Sequence, residues 1–161
     1  MLDRLKNFIA ARSDAPGLAG TLDEAKDDAQ RDLAAATAAL MIEAALQDGE
    51  ADAGEIETVV ALCIRQFGFS EAEAREVVAD AEQELSAKNA LLPFTRTIKE
   101  HADENLRVEI IEMLWEVAYA DGELHDFEAN LLRRVAGLIY VSDRQSGEAR
   151  KRVLARLGIA G

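Results

Sequence analysis

The chain has 161 residues and a mass of 17.5 kDa, enough for one domain with a sizeable core and too little for two. Apolar residues make up 49% and charged residues 30%, which excludes global disorder. With 18 basic against 31 acidic side chains the net charge is −13, which disfavours binding to nucleic-acid phosphates; a single cysteine, Cys63, excludes an internal disulfide and a cysteine-based zinc site.

Leu2, Leu5, Phe8 and Ile9 recur at helical spacing, with Arg4, Lys6 and Arg12 on other faces. This predicts a short amphipathic helix and linker over residues 1–20, packed on a helical domain over 21–161. A membrane surface is the other place for such a helix, but its apolar face is small. The segment lacks the apolar core and small-residue cleavage site of a signal peptide. The most apolar run, 34–46, is too short to span a bilayer. A cytoplasmic protein with no integral membrane segment is the expectation.

Thr21 with Glu24 forms a capping-box pattern that opens a long helix to about Gln47. Its second half is small or apolar nearly all round, as in a helix surrounded by others. Asp48-Gly49 stops it. Asp52 with Glu55 opens the next helix, whose inner face is Ile56, Val59, Val60, Cys63 and Phe67, and Gly68 caps its end. Ser70 with Glu73 starts a helix with Ala74, Val77, Val78, Ala81 and Leu85 inward. A short helix enters near Pro93, and Asp103 caps one carrying Leu106, Ile110, Ile111, Leu114 and Ala118. After Asp121-Gly122, a helix from about Asp126 carries Leu131, Leu132, Val135 and Ile139. Ser142 with Gln145 caps the last, which presents Val153, Leu154 and Leu157. No strand-like alternation persists anywhere. The prediction is an all-α bundle of seven to eight helices.

An offset of 73 residues aligns the chain with itself. Asp48-Gly49-Glu50 meets Asp121-Gly122-Glu123, Glu43 meets Glu116, Ala45 meets Ala118, and Glu55 meets Glu128. Apolar positions agree, among them Leu40 with Met113, Met41 with Leu114, Val59 with Leu132 and Leu62 with Val135. With one residue deleted, Phe67–Ser70 aligns with Ile139–Ser142. Two pseudo-symmetric helical-hairpin halves, each bent at an acidic Asp-Gly turn, are therefore expected.

The repeated acids admit two readings. As structure, Asp48 and Asp121 accept turn N–H groups, and Glu55 and Glu128 cap the first turn of the next helix. As a site, carboxylates converging from two halves repel one another unless a hard divalent cation sits between them. Glu43 and Glu116 lie within apolar helix stretches, so each requires a cation, a proton or several donors if it points inward. The turn is not an EF-hand: Ala53 stands where the invariant Gly belongs and Val59 where the bidentate Glu belongs. His101 and His125 have no metal-ligand spacing, and no phosphate loop, nucleophile elbow or activated serine or cysteine is present. Cys63, Trp115, Met41 and Met113 read as core.

The stretch VAYADGELHDFEANLLRRVAGLIYVS (117–142), with its weaker copy AALQDGEADAGEIETVVALCIRQFGFS (44–70), resembles the TerB tellurite-resistance family. It is also similar to the N-terminal region of DjlA-type co-chaperones, but no J-domain motif accompanies it. The resemblance covers about 32–157. It implies an all-helical fold of two related halves, a bacterial stress-resistance role and a divalent metal held by acidic residues. Those residues correspond here to Asp48, Glu55, Asp121 and Glu128, with Glu50 and Glu123 as outer candidates and Ca, Mg or Mn expected over Zn. The leading expectation is a non-enzymatic metal-binding protein. The alternatives are a protein–protein interaction module with purely structural carboxylates and a metal-dependent hydrolase.

Overall fold

A helix whose surface is alanine, leucine, methionine and isoleucine on every side is stable only inside other helices. The computed structural model describes residues 18–46, 53–88, 90–120, 122, 124 and 126–159, with side chains from residue 28 on except at 53 and 88. In it the apolar run forms the second half of α1 (Leu18–Ala45). The other helices are α2 (Ala53–Phe67), α3 (Glu71–Lys88), α4 (Leu92–His101), α5 (Glu104–Ala118), α6 (Asp126–Leu138) and α7 (Asp143–Leu157). From Leu33 to Ala45 every α1 side chain except Glu43 is buried, and α1 packs on α2, α3, α4, α5 and α6. Alanine at this density lets neighbouring backbones approach closely, while Leu40, Met41 and Ile42 fill the gaps, each contributing about 1.5–3 kcal/mol by burial.

The described residues form an all-α fold, as the sequence predicts, with seven helices. The expected amphipathic helix at the N-terminus lies outside them. The first described helix begins at Leu18, three residues before the Thr21 capping pattern, and leaves α-geometry after Ala45 rather than at Gln47.

The internal repeat is visible in the helix boundaries. Ala45 and Ala118 both end helices and Ala53 and Asp126 both begin them, each pair 73 residues apart; Glu71 and Asp143 begin helices one residue closer. The partners match as well: α1 packs chiefly on α3 in the first half, and α5 on α7 in the second. The pairs Leu40/Met113, Met41/Leu114, Val59/Leu132 and Leu62/Val135 are all buried. The difference between halves is a break. The span covered by the single α1 is divided in the second half into α4 and α5. Ala102 leaves the helix with φ −101° and ψ 134°, and Asp103 accepts the Leu106 N–H at 2.8 Å to start α5. Arg107 closes the joint by donating to the carbonyls of Ala102 (3.0 Å) and Lys99 (2.8 Å). The equivalent positions in α1, Ala29 and Gln30, offer no such cap.

The aligned helix ends at Gly68 and Tyr140 share a left-handed conformation, φ 69° and 62°. At Gly68 a single bond to the Ile64 carbonyl (3.0 Å) closes the helix. At Tyr140 the following Val141 N–H reaches back to Ala136 (2.9 Å), with Val141 buried beyond it as Phe69 is beyond Gly68. Ser142 and Gln145 then form the reciprocal capping box expected from sequence. No helix of the described residues is long and apolar enough to cross a membrane.

Candidate functional site

Of the six acids singled out by the repeat, the structure describes Glu55 and Glu128; Asp48, Glu50, Asp121 and Glu123 lie outside the described residues, as does His125. Glu55 is the third residue of α2 and Glu128 the third of α6. In that position a carboxylate faces the unpaired N–H groups of the first turn and the positive end of the helix dipole. Both are buried, with 8% and 4% of their surface exposed, and both have interaction partners within the molecule. Equivalent chemistry thus sits in equivalent places just after each Asp-Gly turn. Among the described residues no three His, Cys, Asp or Glu side chains come together as a metal cage. The described donors are carboxylate oxygens, a set that fits a hard cation rather than zinc.

Each half carries a hollow. The second is about 490 Å³ and is lined by Thr58, Leu62, Arg65, Glu116, Gly122 and Leu157, among others. It brings Gly122 and α2 to one hollow, whose α2 wall begins at Thr58, one helical turn from Glu55. The first is about 460 Å³ and is lined by Glu43, Leu85, Leu91, Leu92, Arg134 and Leu138, with Ala90. The two correspond through the repeat, since Glu43 matches Glu116 and Leu85 matches Leu157. Their charges differ. In the second hollow Arg65 pairs with Glu116 at 3.2 Å; in the first, Leu138 stands where Arg65 would be and Arg134 one turn earlier.

The requirement that Glu116 find a cation is met by two arginines. Arg156 approaches it at 2.8 Å in addition to Arg65, and the carboxylate lies at the bundle edge rather than deep in the core. Glu43, also at an edge, has interaction partners of its own. Leu157, expected in the core, is 42% exposed because α7 ends there and its last turn overhangs the second hollow. Met41, Met113, Trp115 and Cys63, read as core, are all buried, while Ile56 and Leu106 are half-buried against the core. Burial pushes the Cys63 thiol up to about 12, so it carries no nucleophilic thiolate at neutral pH. His101 is exposed at the end of α4.

Two buried charged groups, Asp80 and Arg31, escape the capping and repeat patterns. Asp80 is fully buried and engaged, and Arg31 pairs with Glu73 at 3.5 Å between α1 and α3 while lying over the Phe69 ring at 5.2 Å. The spacing of Asp80 three residues after Val77 does place it inward, a signal that hydrophobic periodicity alone passes over.

A family model described as tellurite resistance protein TerB matches residues 34–151, which include both Asp-Gly turns and the helices around them. Comparison with curated proteins and with solved structures gives no match. With a match over well more than half of its length, the chain belongs to the TerB family of tellurite-resistance proteins.

Proposed function

We propose that this TerB-family chain is a non-enzymatic domain that binds a hard divalent cation at its Asp-Gly turns. Asp48, Glu55, Asp121 and Glu128 would hold the ion, with Glu50 and Glu123 in outer positions. The observation that carries the reading is the pair Glu55 and Glu128: two buried carboxylates at equivalent helix starts, each following a turn with two further acids in its sequence. A cation there would neutralise charge that a −13 chain otherwise concentrates in its two Asp-Gly-Glu segments. The fully buried, protonated Cys63 supports a binding role over a nucleophilic one.

Calorimetry with Ca²⁺, Mg²⁺, Mn²⁺ and Zn²⁺ tests this. At least one hard cation should bind below millimolar, and Glu55→Gln plus Glu128→Gln should weaken it by about tenfold or more. Because those changes sit at helix starts, Asp48→Ala plus Asp121→Ala serves as the second variant, with a thermal melt to confirm folding. Heat absent below millimolar, or unchanged in both variants, refutes the proposal.

A further inference from the structure

The described arginines divide into two groups. Arg31, Arg65, Arg75, Arg144, Arg152 and Arg156 pair with glutamates, Arg107 hydrogen-bonds to two carbonyls and Arg150 to a tyrosine hydroxyl. Arg96, Arg133 and Arg134 make no ion pair or hydrogen bond among the described residues. In so acidic a chain an exposed guanidinium with no carboxylate partner among the described residues marks a surface open to a carboxylate from outside.

That surface coincides with an apolar one. Arg134 lines the first hollow together with Leu85, Leu91, Leu92 and Leu138, and Leu92 is 58% exposed at its rim. Arg96 stands one turn after Leu92 on the exposed side of α4. On α6, Phe127, Arg134 and Leu138 are seven and four residues apart and fall on one stripe of about 16 Å. Phe127 is 69% exposed, and Tyr140, just past the stripe, is 72% exposed with Lys99 over its ring at 5.4 Å. Glu43, on the hollow's wall, is already engaged. The related hollow of the second half lacks this character, because its arginine is taken up by Glu116.

From this coincidence we infer that the α4–α6 face is a docking groove for an acidic amphipathic helix of another protein. Apolar side chains at positions i, i+4, i+7 and i+11 of that helix would lie along Leu92, Leu138 and Phe127, with carboxylates meeting Arg134 and Arg96. About three helical turns match the length of the stripe. The chain's own first dozen residues, which carry Arg4, Lys6 and Arg12, have the wrong charge for it. This inference is independent of the metal reading.

The test uses the full chain in EDTA and a fluorescein-labelled 16-residue peptide with leucines at those four positions and glutamates on its remaining faces. A matched peptide carries lysine for glutamate. Anisotropy should show the glutamate peptide binding and the lysine peptide not. Arg134→Glu and Leu92→Asp, both surface changes, should each weaken binding by about tenfold or more while leaving the thermal melt unchanged. Binding of both peptides alike, no binding of either, or insensitivity to both substitutions overturns the inference. So does light scattering that finds a dimer dissolved by Leu92→Asp, since the groove would then be an interface between copies.

Discussion

Tyr140 is the residue at which local preference yields to position. An L-residue with φ near +60° places its Cβ against its own carbonyl, at about 1–2 kcal/mol, and its counterpart in the first half is a glycine that avoids this cost. The tyrosine keeps the geometry because the helix end behind it is closed by two backbone bonds and by burial of Val141. Comparing Tyr140→Gly with Tyr140→Ala removes the ring from both variants and isolates the backbone term. Allowing for the greater freedom of unfolded glycine, Tyr140→Gly should be the more stable by about 1 kcal/mol in urea titrations. An alanine variant as stable as the glycine one would remove the argument. The aligned motif at 67–70 and 139–142 made this equivalence readable, although only the backbone shows that a tyrosine accepts a glycine's conformation. The same holds for Glu55 and Glu128: their place at helix starts follows from the capping pattern, whereas their burial follows from what packs over them.

Between elements, the seam joining α5 to α7 carries a cluster of ion pairs. Glu112 and Glu116, one turn apart, face Arg152 and Arg156, also one turn apart, and Arg156 bridges both carboxylates. Burial alone would raise the Glu112 pKa, but the Arg156 and Arg152 guanidiniums outweigh it and hold the carboxyl below its usual value of 4.5. A depressed native pKa means the ionised form stabilises the fold above about pH 4.5, and that this contribution is lost as pH falls through the native value. Glu112→Gln should therefore cost about 1 kcal/mol at pH 7, a modest figure because both arginines are half exposed. Thermal melts should show the gap to wild type closing below pH 4.5; a constant gap would mean the carboxylate's charge is not what stabilises the seam. No sequence pattern announces this seam, because Glu112 and Arg156 are 44 residues apart and meet only when the helices pack.

Across the whole molecule, α1 is the common partner of both halves, packing on α2 and α3 of the first and α4, α5 and α6 of the second. Neither half keeps its buried face dry without it. Unfolding should accordingly be one transition: helix content by far-UV circular dichroism and the fluorescence of Trp115, the chain's one tryptophan and a member of the second half, should share a single urea midpoint. A Trp115 midpoint displaced from the circular dichroism one would show the halves to be separately stable.

The amino-acid sequence by itself determined the helical class, nearly every helix boundary, the 73-residue repeat and the core positions, because these depend on spacing, capping groups and glycine placement within a few neighbouring residues. Tertiary structure decided the burial of Glu55 and Glu128, the exposure of Leu157 at a helix end, and which arginines find a glutamate. It also decided that the arginine of one hollow is paired with its glutamate while that of the related hollow is not. Each of those outcomes depends on which helix faces which across tens of residues, and a periodicity read along a single helix carries no record of the side chains that will stand opposite.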